Sequence, residues 1–149
     1  MIKFVCKKFD DLTPHELYEI LHLRNEVFVV EQNCVFQDAD HKDERSFHLM
    51  AWIENELAGY TRLLPQGLAY DQMSIGRVVT SPKHRRNGVG KELMQQSMTK
   101  CYELFGQGAI KIGAQLYLKK FYESFGFNQI GEQYLEDGIP HIHMICSAE

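Results

Sequence analysis

Between Ile75 and Phe105 the sequence leaves little freedom to the fold. The β-branched run ending Val78-Val79-Thr80 reads as a strand, and Ser81-Pro82 stops it. The chain then passes through Arg85-x-x-Gly88-x-Gly90, after which Val89, Leu93, Met98, Cys101 and Phe105 recur at helical spacing up to Gly106. Glycines at such a junction let the backbone turn tightly and approach a ligand without a Cβ in the way. The unpaired N–H groups of the helix's first turn, with the helix dipole, form an anion site suited to a diphosphate. Arg85, Arg86 and Lys91 add positive charge at its rim. Spacing alone leaves a plainer reading open: a glycine turn before a helix, carrying a solvated basic cluster. A Rossmann site needs a third glycine that is absent, and a P-loop needs Ser or Thr where Glu92 follows Gly90-Lys91.

The remaining segments arrange themselves around this unit. Residues 2–8 read as a short strand. Thr13-Pro-His-Glu16 is a capping box with proline at the first helical position, and the helix is expected to reach about Gln32. The polar, acidic stretch 37–45 reads as a loop. Ser46–Ile53 and Leu57–Leu64 form a hairpin across Glu54-Asn-Glu56, and Gln72–Thr80 is the third strand of a meander. Ala109–Ala114 is a strand, Leu116–Phe125 a helix ended by Gly126, and two strands near 128–135 and 141–146 flank Glu136-Asp-Gly-Ile-Pro140. This order predicts a mixed sheet in an α/β (α+β) domain spanning residues 1–149.

Composition narrows the function. A formal net charge of −4, with no basic block beyond Lys83–Arg86, argues against nucleic acid. No apolar run is long enough for a membrane, and the start is too weakly apolar for a signal peptide. Four scattered cysteines without a C-x-x-C pair fit a reducing cytoplasm.

The strand–Arg85-x-x-Gly88-x-Gly90–helix unit resembles motif A of the GNAT (Gcn5-related) N-acetyltransferases, and Phe121-Tyr-Glu-Ser-Phe-Gly-Phe127 is similar to that family's Tyr-x-x-x-Gly-Phe segment. Two motifs in the right order and elements are far more specific than either alone. Leu23-Arg-Asn-Glu-Val-Phe-Val-Val-Glu-Gln32, Asp40, Asp43, His48 and Glu136-Asp-Gly-Ile-Pro-His141 look like the ElaA-type branch. The resemblance implies a twisted sheet of six to seven strands with about four helices, splayed between two central strands. It further implies acetyl-CoA as co-substrate, with the pyrophosphate on Arg85, Arg86, Asn87, Gly88, Val89, Gly90 and Lys91. The pantetheine arm would pair with Val78, Val79 and Thr80, and a backbone N–H of that strand, splayed by a bulge, would meet the thioester oxygen.

By the same resemblance Tyr122 is the general acid for the leaving thiolate; otherwise it packs with Phe121 and Phe125. Glu31 stands as the candidate base, against a helix-end carboxylate bonded to nearby backbone, with Asp40, His48 and His141 as weaker candidates. The expected reaction is direct transfer to a primary amine of a small molecule or peptide, without acyl-enzyme or metal. The alternative is a non-catalytic acyl-CoA-binding regulatory module. Dimers are the default for the family. Asp38-x-Asp40-x-x-Asp43 reads as a solvated acidic loop rather than a cation site; the acidic 37–45 loop and the Glu136–His141 turn are expected to line the acceptor side and to favour a cationic amine. His141-x-His143 places two imidazoles on one strand face without a third ligand, so zinc is not expected. Arg77, inside an apolar strand, is expected to pair with a carboxylate or a substrate group. Cys101 is expected to be inert core.

Overall fold

The structure, a computed structural model, describes residues 1–147. Among the described residues seven strands form two antiparallel sheets: β1 (Lys3–Lys8), β2 (Phe47–Ile53), β3 (Glu56–Leu64) and β4 (Ser74–Thr80) in sequential order, and β5 (Ile110–Gln115), β6 (Asn128–Glu136) and β7 (Ile139–Cys146) in the order β5-β7-β6. A parallel bridge between Met73 and Ile110, with Lys111 N–H donating to the Met73 carbonyl at 3.0 Å, stitches the sheets together. The mixed character expected of the sheet is confined to this seam. Beyond the seam β4 and β5 part.

Local chemistry explains the elements. Helix α1 (Pro14–Arg24) opens on the complete capping box: Thr13 Oγ1 accepts from Glu16 N–H at 3.0 Å, and the Glu16 carboxylate accepts from Thr13 N–H at 2.8 Å. The expected continuation to Gln32 is helical but not α. Residues Asn25–Glu31 form a π-helix, with Gln32 N–H reaching back five residues to the Val27 carbonyl at 3.1 Å. The β2–β3 turn places Glu54 and Asn55 at φ 47° and 69°, and the β6–β7 turn places Asp137 and Gly138 at 51° and 78°. Both are two-residue turns of the kind whose twist matches a hairpin. Among the described residues three α-helices form, against about four implied by the family; the others are α2 (Val89–Phe105) and α3 (Lys119–Glu123).

The sheets divide the core in two. On one side α2 and α3 cover Leu63, Ile75, Ile112, Ile142 and Met144 together with Tyr122 and Phe127. On the other, α1 and the π-helix pack Ile20, Leu23 and Val27 on Met50, Tyr60 and Val79. Helix α2 approaches β3 closely at Gly59, where a Cβ would come within 3.1 Å of Val89 and 3.2 Å of Leu93. Among the described residues no helix is long and apolar enough to cross a membrane.

The acidic stretch differs most from expectation. Asp38 and Asp43 are buried, and all three carboxylates hold arginines that lie far away in sequence. Arg24, fully buried, donates to Asp38 Oδ2 at 2.8 Å and to both Asp43 oxygens at 2.8 and 3.2 Å. Arg62 pairs with both Asp40 oxygens at 2.7 and 2.9 Å and with Asp43 at 3.0 Å. Arg77 bonds Asp38 at 2.9 Å. Three aspartates and three arginines neutralise one another, so the segment is an ion-pair core rather than a solvated loop. Beneath it His48 donates from Nε2 to the Asp43 carbonyl at 2.8 Å and accepts at Nδ1 from the Tyr60 hydroxyl at 2.6 Å.

Candidate active site

A cleft of about 600 Å³ opens where β4 and β5 separate. One wall is β4, where the register slips between Tyr60 and Arg62: Thr61 faces both Arg77 and Val78, and Arg77 sits at φ 49°. The strand therefore bulges where it borders the cleft, which takes backbone groups out of the ladder. Arg77 is held at this left-handed angle by its bonds to Asp38 and its position over the Phe36 ring, which answers the expectation of a carboxylate partner. Val78, Val79, Thr80, Arg85 and Gly90 line the same wall.

The loop behind that wall is built by backbone chemistry. Arg86 and Gly88 have φ 71° and 77°, and Gly88 is the N-cap of α2. The first intrahelical bond is from Glu92 N–H to the Gly88 carbonyl at 3.2 Å, so the amides of Val89, Gly90 and Lys91 precede the helix's own acceptors. Arg86, Asn87, Gly88 and Lys91 are exposed outside the cleft proper, while the Val89 side chain is core against Leu93 and Ala58. Only the backbone of Val89 is available to a ligand.

Arg85 is already engaged. Its two terminal nitrogens meet the two Glu31 oxygens at 2.6 Å each, closing the cleft mouth between the loop and the end of the π-helix. The hydrogen bond from Arg85 and its charge hold the Glu31 carboxyl below the usual carboxylate range, despite slight burial. Glu31 therefore bonds a side chain 54 residues away rather than nearby backbone. Asp40 is held well below the carboxylate range: burial opposes this, but the Arg62 bonds and charge outweigh it. Burial pushes His48 down. Neither Asp40 nor His48 lines the cleft.

Tyr122 does line it. Burial, with a smaller contribution from Tyr117, pushes its phenol well above the ordinary value, so it remains a proton donor at any physiological pH. Its ring stands edge-on to Phe121 at 5.2 Å and Phe127 at 6.1 Å, so the packing role and the cleft position coexist; Phe125 contacts Phe121. Across the cleft lie Cys34, whose thiol donates to the Asp137 carbonyl at 3.4 Å, and His141, Glu136 and Asp137 of the β6–β7 hairpin. Sequence reasoning had ranked His141 low. His143 lies outside the cleft, against the Tyr134 ring at 4.6 Å. Cys101 is fully buried on the inner face of α2, and burial, with some help from Cys6, pushes its thiol up to about 12.

Comparison with known proteins is consistent with this geometry. Residues 10–148 match the family model described as "Acetyltransferase (GNAT) domain". The chain is 40% identical over 146 residues to Protein ElaA of Escherichia coli, covering 97% of this chain and 95% of ElaA. It is 41% identical over 145 residues to a UPF0039 protein of Schizosaccharomyces pombe, covering 96% and 95%. Among solved structures, an acyl-CoA N-acyltransferase from Pseudomonas aeruginosa superposes with a TM-score of 0.94 at 41% identity, covering 99% of this chain and 100% of that one. The E. coli ElaA crystal structure gives 0.91 at 39% identity, covering 97% and 99%.

Proposed function

The chain belongs to the GNAT acetyltransferases, in the company of ElaA, and on that premise we propose that it transfers the acetyl group of acetyl-CoA to a primary amine. The observation that carries this reading is the cleft itself. A bulged strand, Gly90 in the first turn of α2 and the Tyr122 phenol line one opening between β4 and β5. The helix-start amides suit a pyrophosphate once Arg85 turns from Glu31. The β4 backbone at Val78–Thr80 suits an amide-bearing arm, and a donor freed by the bulge suits a thioester oxygen that gains negative charge. Tyr122 suits the departing thiolate, to which it gives a proton.

Transfer then runs by direct attack in a ternary complex. The acceptor is a small-molecule or peptide amine, and the protein works in the cytosol as a homodimer. The name of the P. aeruginosa acyltransferase supports acyl-CoA chemistry without fixing the acyl group.

Calorimetric titration of acetyl-CoA tests the coenzyme site. Wild type is expected to bind in the micromolar range. Gly88→Glu, which sets a carboxylate on the anion site, is expected to weaken binding at least about tenfold while the protein stays folded by circular dichroism. Tyr122→Phe keeps the aromatic packing and is expected to lower kcat by about 10²-fold with coenzyme affinity intact. A folded wild type that does not bind acetyl-CoA refutes the proposal. Binding without transfer to any amine points instead to a regulatory acyl-CoA module.

A further inference from the structure

A primary alkylamine reaches an enzyme at neutral pH as its ammonium ion, and its nitrogen has no lone pair until one proton leaves. On the transferase reading above, some group on the acceptor side of the cleft has to take that proton. We infer that this group is the imidazole of His141, with Glu136 beside its Nε2, and that the site therefore takes alkylammonium acceptors.

Placement is the first argument. Neighbouring residues of a strand point to opposite faces, and Ile142 packs with Tyr122 in the core beneath α2 and α3. His141 therefore projects from the opposite face, yet both His141 and Tyr122 line the cleft where the sheets part. An acid on the coenzyme side and a base on the other are what an amine and a thioester need if they meet through the gap.

The tautomer is the second. His141 Nδ1 lies 2.7 Å from the Ile139 carbonyl oxygen, which only accepts, so Nδ1 carries the proton and neutral His141 keeps its lone pair on Nε2. That nitrogen is 3.7 Å from a Glu136 oxygen, close enough for the carboxylate to stabilise the imidazolium once it forms. The Tyr134 ring lies beside the imidazole at 5.8 Å and limits its rotation. The third argument is that two rival bases are engaged whether or not the coenzyme is bound. Arg62 holds Asp40, and the His48 lone pair is taken by the Tyr60 hydroxyl. Glu31, paired with Arg85 until the coenzyme recruits that arginine, is the one rival left, and its own variant tests it.

The proton count closes. Ammonium gives one proton to Nε2, and the nitrogen lone pair then forms the C–N bond as the carbonyl π pair moves to oxygen. When the C–S bond breaks, the sulfur pair takes the Tyr122 proton, and Tyr122 recovers one from the newly bonded nitrogen. One proton thus leaves to solvent through His141, and one ends on the coenzyme thiol.

The test compares two acceptors with wild type and His141→Gln. n-Butylamine is protonated at pH 7, whereas hydroxylamine is already neutral there and needs no base before attack. Acetyl-CoA affinity by calorimetry is expected to agree within about twofold between the two proteins. The ratio of butylamine to hydroxylamine acetylation is expected to fall by about 10²-fold in the variant. An equal loss on both amines, or no loss, overturns the assignment. A wild type that binds acetyl-CoA and acetylates neither refutes the transferase reading itself, and the base falls with it. Independently of turnover, nitrogen-15 NMR of the wild-type imidazoles is expected to show His141 protonated at Nδ1. An Nε2–H tautomer overturns the inference even if the variant proves unstable.

Discussion

Replacing Arg24 by methionine tests whether the six-residue ion core holds the fold together. The guanidinium is fully buried and makes bonds of 2.8 Å to both Asp38 and Asp43, while stacking 5.8 Å from the Tyr60 ring. Burial alone would lower its pKa. The Asp43 hydrogen bond and the surrounding negative charge outweigh that and raise it, so the charged form is the one the fold favours. Methionine refills much of the volume but leaves three aspartates facing two arginines, one buried negative charge uncompensated. Breaking a buried pair from one side costs about 3–5 kcal/mol. For a chain of 149 residues that corresponds to a fall in Tm of about 10 °C, and to a third or more of a typical total stability. Urea unfolding at pH 7 reads it directly. The companion variant is Arg24→Met/Asp43→Asn, which restores charge balance with Asp38 and Asp40 facing Arg62 and Arg77. Its loss is expected to be smaller than the sum of the two single losses by at least about 1 kcal/mol. A single-variant loss under about 1 kcal/mol, or strict additivity, refutes the claim that these charges act as one buried unit.

Two further outcomes follow from the same electrostatics. Glu31→Gln frees Arg85 from a pair whose side chains are each 41% exposed, so the pair is worth at most about 1 kcal/mol and acetyl-CoA affinity is expected to rise by up to about fivefold at low salt; a weaker affinity would refute competition between Glu31 and the coenzyme, and a kcat loss near 10²-fold would return Glu31 to the role of base. Stability is expected to fall steadily between pH 7 and pH 4. Burial depresses His48, whose contribution is present above its unfolded value of about 6.5 and lost as pH falls through the lower folded value. Asp40 and Asp43, depressed by their arginines against the opposing effect of burial, contribute stability that is present above about pH 4 and lost below it. Urea midpoints that stay flat or rise on acidification would contradict this sign.

What could be read from the sequence was what neighbours in sequence decide. The Thr13–Glu16 capping box, the Asp137-Gly138 turn and the Gly88 helix start are short-range devices, and each stands where its residues announce it. The π-helix was not legible, because a 3.6-residue apolar spacing does not distinguish bonds to the fourth residue from bonds to the fifth. The partners of long-range charge pairs were hidden for a similar reason. Glu31 and Arg85 are separated by 54 positions, and nothing local to either points to the other. The misreading of Asp38, Asp40 and Asp43 has the same origin. A run of aspartates looks solvated until the fold brings Arg24, Arg62 and Arg77 to it, and Arg77 alone had looked out of place in its strand.

That correction moves the source of any selectivity for cationic acceptors. The sequence offers two lures for an ammonium group, the 38–43 carboxylates and the Glu136–His141 turn; neutralised by three arginines, the first offers no net charge. The exposed carboxylates that still border the cleft are Glu31, occupied by Arg85, and Glu136 and Asp137 at the tip of the β6–β7 hairpin. Coenzyme binding that recruits Arg85 would release Glu31 at the mouth. An arriving ammonium would then meet one carboxylate freed by the coenzyme, together with Asp137 and with Glu136 beside His141. On the proposed function, attraction of the acceptor would then be coupled to coenzyme binding, because Arg85 spends both terminal nitrogens on Glu31 and must give up at least one of those bonds to reach a phosphate with them.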